Sequence, residues 1–370
     1  MPQVGFELIR QTACSLSLPR HRTLGAPPAA RAKCYNRIGI AYIHRRGRTL
    51  LTEPKSGTTR RGLLRACLAS ALARPAPAQN KSRVAIARDP DSAIDSARLL
   101  GLLDRAVQRV CDANSPLEAW KKIVRPGEVV GLKVNCLAGR GSASTSPMLV
   151  EAVCERLQQA GIRAADLVVW DRLDSDLESA GFHPSTRAGR IRTIGNDQAG
   201  YESDLATFGE AGSLLSTTLT RTCDAIINLP VLKDHGIAGV TMALKNFFGA
   251  VHNPNKYHSN AGDPYVADVY MLPPIRRKVR LHICDALAPQ YEGGPSYMPH
   301  WSWPFHGLIA SRDPVALDFT GWQIIERKRA EKGLPPLRGV RREPVYIARA
   351  ADAQHRLGTN DPGLIDKVEI

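Results

Sequence analysis

The sequence predicts an α/β fold, in which a mixed and mostly parallel sheet is covered by helices on both faces. Three segments are predicted to be strands because they are apolar almost throughout: EVVGLKVN (128–135), DLVVWD (166–171) and DAIINLP (224–230). Strands of this kind are buried on both faces, which is typical of parallel sheets. Between the first two lies SPMLVEAVCERLQQAGI (146–162), whose apolar residues have helical spacing. Alternation of strands and helices favours the α/β class.

The remaining elements follow the same alternation. SRVAIAR (82–88) is predicted to be the first strand, and apolar residues recur at helical spacing through 94–110 after it. RRKVRLHICDA (276–286) is predicted to be another buried strand. GLIASRDPVALDFTGWQIIERKR (307–329) combines a strand with a long helix.

No repeat of fixed period and no Gly/Ser linker divides this part of the chain. We therefore expect one α/β domain over residues 79–370. The segment 172–222 leaves room for an inserted subdomain.

The net charge of +15 is concentrated in the first part of the chain. Residues 1–78 contain 14 Lys and Arg and two acids, whereas the rest contains 36 basic and 33 acidic residues. The nearly balanced part has no basic stripe interleaved with aromatic residues. Nucleic acid is therefore not expected as a partner.

Residues 58–78, TTRRGLLRACLASALARPAPA, resemble a twin-arginine export signal. Arg60 and Arg61 are followed by a short apolar stretch and a small-residue site that ends at Ala78. The stretch is too short for a stable membrane span. The resemblance implies a periplasmic or exported protein that meets the export machinery; an Arg-rich disordered tail is the alternative. Residues 1–57 show no period, and we expect a disordered leader or a start codon assigned too far upstream.

The eight cysteines do not form a recognisable cofactor motif. No two of them lie closer than 18 residues, so the sequence has no C-x-x-C for an iron–sulfur cluster, zinc or redox work. Five cysteines remain after residue 78, and an odd number argues against a disulfide framework. We expect small buried thiols.

The segment 231–258 concentrates positively charged side chains after a predicted strand. It contains three His and three Lys: His235, His252, His258, Lys233, Lys245 and Lys256. These groups repel one another if all are charged, so the cluster indicates an anionic ligand, a metal or an exposed basic face.

Lys233 and His235 are the central candidates for catalysis. They precede a predicted helix over 239–248, whose free N–H groups would point toward a ligand at the strand end. Lysine can bind a carboxylate or phosphate, and histidine can change its charge near neutral pH. Solvated surface charges are the alternative. Lys245, on the predicted helix, is a further candidate for ligand binding.

His252 and His258 lie in a loop rich in Pro and Asn, HNPNKYHSNAGDP, and are candidate metal ligands. Two loop histidines without a nearby carboxylate form an incomplete metal site. The cofactor therefore stays undefined, with a metal as one candidate.

Side chains near the ends of other predicted strands complete the candidate ligand site. Asp285 is the third catalytic candidate because it ends a strand. Glu292 precedes a Gly-Gly pair that would let the backbone approach a ligand closely. The other candidates are Lys133, Asn135, Ser144, Asp171, Asn246, Asp313 and Asp318.

Two of these acids also have structural interpretations. Asp313 precedes a proline at the start of a predicted helix, which favours a helix cap. Asp318 has apolar neighbours, so it is either paired or faces the site. The loop GRGSAS (139–144) lacks the glycine spacing of a nucleotide-binding loop, and its use as an oxyanion nest is left open.

Four motifs taken in order resemble the bacterial and archaeal family called domain of unknown function 362. They are KVNCLAGRGSASTSPMLVEAVCERLQQAGI, DAIINLPVLKDHGIAGVTMALKNFFG, ICDA with EGGP, and GLIASRDPVALD, and the resemblance covers most of residues 83–330. Relatives in that family often carry a ferredoxin-like cluster domain, whose cysteines this sequence lacks. The resemblance implies a family and no reaction. It places these residues in recurring motifs: Lys233, His235, Lys245, Asn246, Asp285, Asp313 and Asp318.

Two function hypotheses follow. The first is an exported enzyme or cofactor protein that acts on a small anion by redox or isomerase chemistry. In it, Lys233, Lys245 and His235 face Asp285 and Glu292, and His235 or Lys233 transfers a proton. The second is a non-catalytic periplasmic protein that binds a solute or a metal.

Overall fold

A computed structural model of the chain describes residues 81–90, 93–139, 141 and 143–370. The export signal predicted at 58–78 and the leader before it lie outside these residues. Arg140 and Ser142, in the loop considered as an oxyanion nest, also lie outside them.

The described residues form twelve strands. Their bounds are β1 (Ser82–Arg88), β2 (Val130–Lys133), β3 (Leu167–Asp171), β4 (Arg192–Gly195), β5 (Ala206–Phe208), β6 (Ala211–Ser213), β7 (Ala225–Asn228), β8 (Val231–His235), β9 (Gly239–Thr241), β10 (Val279–Gln290), β11 (Gly307–Ser311) and β12 (Ile365–Glu369). Ten strands form one sheet, in the order β12, β1, β11, β10, β7, β2, β3, β4, with β8 paired to β10 and β9 to β8. β5 and β6 form a separate two-stranded sheet.

The middle and one edge of the main sheet are parallel. β10, β7, β2, β3 and β4 are successive neighbours, and each pair is parallel. β11 is antiparallel to both β1 and β10. Parallel neighbours require crossover connections, and the carboxyl ends of these strands all lie on the same side of the sheet, where the strands terminate. The mixed, mostly parallel α/β fold is confirmed.

The helices of the described residues connect and cover these strands. Their bounds are α1 (Ser96–Cys111), α2 (Pro116–Lys121), α3 (Pro147–Gln159), α4 (Asp174–Ser179), α5 (Asn196–Ala199), α6 (Tyr265–Met271), α7 (Pro273–Lys278), α8 (Pro314–Glu331) and α9 (Tyr346–Ala351).

The two faces of the sheet contribute to two hydrophobic cores. In β1, Val84 and Ile86 belong to the core that contains apolar residues of α6, α8 and α9, whereas Ala85 and Ala87 belong to the core of α1, α2 and α3. Successive side chains of a strand point to opposite faces, so apolar residues at every position serve both cores. This explains why the central strands are near-continuous apolar runs.

The two longest helices, α1 and α8, begin at side-chain caps. The carboxylate of Asp95 accepts a hydrogen bond from the Arg98 N–H at the start of α1. Asp313 caps α8 as predicted, because its Oδ1 accepts from the N–H groups of Val315 and Ala316. Each cap satisfies N–H groups that have no partner within the helix.

The prediction of a helix over residues 239–248 is wrong. This segment contains β9, which pairs with β8 in a hairpin, followed by a short 3₁₀ helix, Lys245–Ala250. The N–H groups of Ala243 and Leu244 donate to the carboxylate of Asp318 in α8. This tertiary contact overrides the local helical pattern.

The segment 172–222, considered as an inserted subdomain, is divided between the two sheets. It supplies β4 to the edge of the main sheet and contains the β5–β6 pair. The five cysteines of the described residues are free and buried, as expected. No helix in the described part of the chain is long and apolar enough to cross a membrane.

Candidate functional site

A cavity of about 410 Å³ opens at the carboxyl ends of β2 and β3, beside the β8–β9 hairpin. Open α/β sheets bind their ligands at the carboxyl ends of the strands. Eight of the residues predicted for the site line the cavity: Lys133, Asn135, Asp171, Lys233, His235, Lys245, Asn246 and His258.

Lys133 and Asp171 form a buried ion pair at the base of the site. Their Nζ and Oδ1 atoms are 2.7 Å apart. Lys133 also donates to the carbonyl oxygen of Val134, and the second oxygen of Asp171 accepts from the Cys136 N–H. The pair is therefore well hydrogen-bonded, which a buried ion pair needs in order to offset its desolvation.

Gly249 brings the backbone of the 3₁₀ helix onto this ion pair. A Cβ atom at position 249 would lie 2.7 Å from Oδ1 of Asp171 and 2.8 Å from Nζ of Lys133. Only glycine allows the backbone to pass this close.

The Asn246 side chain connects the cavity to the sheet. Its Oδ1 accepts from Nδ2 of Asn135 at 3.0 Å, and its own Nδ2 donates to Oδ1 of Asn228 at 2.7 Å. Asn228 in turn lies 3.0 Å from Nδ1 of His282. A connected chain of buried amides of this kind fixes side-chain orientation.

Lys233 and Lys245 are buried in the cavity without a carboxylate partner among the described residues. Among the described residues that line the cavity, the ion pairs are Lys133–Asp171 and Arg172–Asp176. Nζ of Lys233 donates to the carbonyl oxygen of Ala143 at 2.6 Å, and Nζ of Lys245 lies 3.2 Å from Nε2 of His258.

Burial changes the protonation of both lysines. It lowers the pKa of Lys233 to about 8, against the opposing effect of the Asp171 carboxylate. Burial, together with the positive charge of Lys233, lowers the pKa of Lys245 to about 7. Desolvation disfavours an ammonium group, and a second cation adds to this effect. Lys245 is therefore present as both ammonium and free amine at neutral pH.

His235 is held in one tautomer. Its Nδ1 accepts hydrogen bonds from the N–H groups of Ile237 and Ala238, both at 3.1 Å. Burial, reinforced by the charge of Lys245, lowers the pKa of His235 to about 2. The neutral ring therefore carries its proton on Nε2 and can donate from that atom.

The two histidines proposed as metal ligands are in different surroundings. His258 lines the cavity and stacks on His235, with ring centroids 5.4 Å apart. Burial, assisted by Lys245, lowers the pKa of His258. His252 does not line the cavity, and its ring packs edge-on against Tyr201. Within the described residues, no group of three or more His, Cys, Asp or Glu is arranged to hold a metal.

Asp285 and Ser144 do not line the cavity. The carboxylate of Asp285 accepts from the N–H groups of Ser146 at 2.9 Å and Leu287 at 3.0 Å, so it ties the start of α3 to β10. Burial raises its pKa to about 6. The Ser144 hydroxyl is buried without a hydrogen-bond partner among the described residues.

Glu292, which was expected to face the cavity lysines, instead pairs with Arg329 and Arg342. Arg342 also contacts Asp234 at 3.1 Å. Arginine can bind a carboxylate through two N–H groups, so this network satisfies Glu292. The Gly293-Gly294 pair does allow a close approach, but at Gly294 the approach is to the backbone of Asp234.

Asp313 and Asp318 have structural positions. Asp313 is the cap of α8 described above, and its second oxygen accepts from the Thr359 N–H. Asp318 is buried beneath the turn that precedes Lys245, where burial raises its pKa to about 8. Neither carboxylate lines the cavity.

Sequence reasoning did not select four polar residues of the cavity lining: Thr241, Arg172, Asp176 and Asn255. Arg172 directly follows β3 and Asp176 lies in α4, the next element, so their position after a strand was an available signal. Thr241 lies opposite Lys233 in the β8–β9 hairpin. Its Oγ1 is buried and has no hydrogen-bond partner within the described chain. The wrong helix prediction hid this pairing.

These features define an α/β protein with a cationic cavity at the ends of its strands. The family model described as Domain of unknown function (DUF362) matches residues 130–323, more than half of the chain, and the chain belongs to this family. The family predicted from the four motifs is thus confirmed.

Two proteins are similar to parts of this chain. A thylakoid-associated protein of Synechocystis sp. is 29% identical over 260 residues, which cover 66% of this chain and 73% of the relative. A crystal structure of a Thermotoga maritima protein matches 67% of this chain and 60% of its own, with 11% identity and a TM-score of 0.36. The chain thus spans less than two thirds of the Thermotoga protein.

We expect Gly249→Ala to destabilise the fold by about 1–3 kcal/mol, because the added methyl group would separate Lys133 from Asp171 or displace the 3₁₀ helix. Chemical denaturation measures the change. Gly101→Ala in α1 is the matched control: a Cβ there would meet only the Arg105 side chain, at 3.6 Å. The control should stabilise the helix or leave it unchanged, by up to about 1 kcal/mol. Equal effects of the two substitutions would contradict the assigned role of Gly249.

Proposed function

We propose that the protein is an exported enzyme that binds a small organic anion in this cavity and transfers a proton to or from it. The observation that carries the proposal is the burial of Lys233 and Lys245 without a carboxylate partner among the described residues. Unpaired buried charge is destabilising, and an anionic ligand would supply the missing charge. Lysine is a common ligand of carboxylates and phosphates.

Other groups in the cavity suit a small polar ligand. The hydroxyl of Thr241 can donate a hydrogen bond to an anionic oxygen. Oδ1 of Asn135 is buried without a partner in the described residues and can accept from a ligand hydroxyl. The volume of about 410 Å³ lies at the small end of the range for small-molecule sites.

The contact between Lys245 and His258 favours an enzyme over a non-catalytic binding protein. Their nitrogen atoms are 3.2 Å apart, within reach for proton transfer. Burial lowers the pKa of both groups, so each has an accessible neutral form. Isomerisation is the reaction class that a lysine–histidine pair beside a bound anion suits best. A protein that only binds solute would retain the ligand without turnover.

Two observations support the proposed export. Arg60 and Arg61 precede an apolar stretch and a small-residue site, as in twin-arginine signals. The Synechocystis relative is described as thylakoid-associated. An extracytoplasmic location of this chain is compatible with both.

The substitution Lys245→Met should separate ligand binding from stability. It removes a buried charge and keeps most of the side-chain volume, so the ligand-free protein should gain about 1 kcal/mol or more. It should also lose the thermal stabilisation that malonate gives the wild type at constant ionic strength. Lys121→Met, at an exposed position in α2, should change neither quantity. A destabilised Lys245→Met protein that still responds fully to malonate would contradict the proposal.

Anion binding should weaken as the pH rises. Because the pKa of Lys245 is about 7 and that of Lys233 about 8, both lysines lose their positive charge over this window. Titration calorimetry with malonate should show the affinity falling by up to about tenfold per pH unit above pH 7.

The stability of the ligand-free protein should change in the opposite direction. A lysine with a lowered pKa binds fewer protons in the folded protein than in the unfolded chain, so the ligand-free protein loses stability as the pH falls from 10.5 to about 8 for Lys233 and to about 7 for Lys245. An affinity for malonate that does not change with pH would show that the two lysines do not bind it.

Replacing both Arg60 and Arg61 with Lys should retain the precursor in the cytoplasm, although the charge is unchanged, because the twin-arginine route recognises the arginine pair. Fractionation of the producing bacterium measures the distribution. The wild type should be cleaved after Ala78, which mass spectrometry of the N-terminus detects. Arg45→Lys with Arg46→Lys, at another arginine pair of the leader, is the control. Unchanged export of the first variant would exclude the signal.

A further inference from the structure

We infer that Lys245 forms an imine with a small 2-oxo acid whose carboxylate pairs with Lys233, in the cavity where His258 contacts Lys245. This inference rests on the proposed function and deepens it by naming the substrate class. Anion binding supplies the contact with Lys233, and the carbonyl next to the carboxylate reacts with Lys245. One lysine then orients the ligand while the other bonds to it.

The three cavity lysines differ in how their Nζ atoms are held. Lys133 is bound to the carboxylate of Asp171 and to the carbonyl oxygen of Val134, both at 2.7 Å. A lysine bound in this way has its Nζ directed at protein oxygens rather than at a ligand, so it is a poor nucleophile. Lys245 has neither kind of contact among the described residues, and its polar neighbour there is Nε2 of His258. Lys245 is therefore the cavity lysine whose amine is least restrained.

The surroundings of Lys245 favour the free amine. Its Nζ lies 4.8 Å from the centre of the Phe248 ring, and the side chain is 7% exposed. Burial and the neighbouring charge of Lys233 lower its pKa to about 7. An apolar pocket and an adjacent cation are the two means by which proteins activate a lysine for imine formation.

The reaction balances with the groups present. Nε2 of neutral His258 accepts a proton from the Lys245 ammonium, and the free amine attacks the carbonyl carbon to give a carbinolamine. The new C–N bond forms as the carbonyl π bond breaks, and the resulting alkoxide takes a proton from the attacking nitrogen to become a hydroxyl group. The carbinolamine then loses this hydroxyl, with a proton from His258, as water, and a C=N bond remains. No oxidant or reductant is consumed.

The imine connects the substrate class to the proposed proton transfer. A protonated C=N bond withdraws electrons from the adjacent carbon, so a proton on that carbon becomes easier to remove. His258 is neutral again once water has left, and it can accept that proton. The carboxylate held by Lys233 keeps the ligand in register during this step.

Borohydride trapping tests the inference directly. The full chain is incubated with pyruvate, treated with sodium borohydride and examined by intact mass measurement and peptide mapping. Borohydride reduces an imine to a stable secondary amine, so the wild type should gain one reduced pyruvyl group, located on Lys245. Lys245→Arg, which keeps the charge but cannot form the adduct, should lose the label. Lys121→Arg should retain it, and borohydride without pyruvate should give none.

Competition with malonate keeps the test valid if Lys245→Arg does not fold, which its melting curve would show. Malonate has no ketone and should reduce labelling of the wild type at Lys245 by occupying the same cavity. Absence of the adduct, or label spread over exposed lysines, would overturn the imine. The proposed anion site would still stand in that case if malonate stabilised the wild type. Failure of malonate to bind would instead overturn the proposed function.

Discussion

Two hydrogen bonds to a buried carboxylate determine the path of the chain through the site. Asp318 accepts hydrogen bonds from the N–H groups of Ala243 at 2.7 Å and Leu244 at 3.1 Å. These two residues come just before Lys245 and Asn246, which line the cavity. Both donors would otherwise be buried without a partner, at a cost of about 1–3 kcal/mol each. With these donors fixed by α8, the chain leaves β9 in a turn, and Lys245 and Asn246 reach the cavity. The geometry of the site therefore depends on an aspartate that does not line it.

Strand alternation explains why the acid next to Lys233 in β8 does not neutralise it. In β8, Lys233 and His235 point to one face and Asp234 to the other, because successive side chains alternate. Asp234 is paired with Arg342, which also binds Glu292. Arginines thus form ion pairs with these carboxylates, whereas the two lysines without a carboxylate partner line the cavity. This separation of charge is the physical basis for expecting an anionic ligand.

The sequence contains enough local information to locate the carboxyl ends of the strands, where the site lies, but not the turn that follows β9. Apolar runs predict the strands, and the last residues of β2 and β3 are Lys133 and Asp171, which meet because parallel strands end together. The helix expected over 239–248 fails because its competitor, Asp318, lies about 75 residues away in sequence. The expectation that Glu292 faces the cavity fails for the same reason, because its arginine partners were not recognisable from the local sequence. Long-range polar contacts are what local patterns omit.

The charge state of the cavity relates the fold to the chemistry proposed for it. Lys133 and Arg172 are neutralised by their aspartate partners, and His235 stays uncharged because burial lowers its pKa to about 2. Two positive charges remain, on Lys233 and Lys245. A monocarboxylate at Lys233 offsets one, and the loss of a proton from Lys245 removes the other. That proton moves to His258, which also lines the cavity, so one positive charge stays beside the bound carboxylate, and the same step leaves Lys245 as the free amine that a carbonyl group requires.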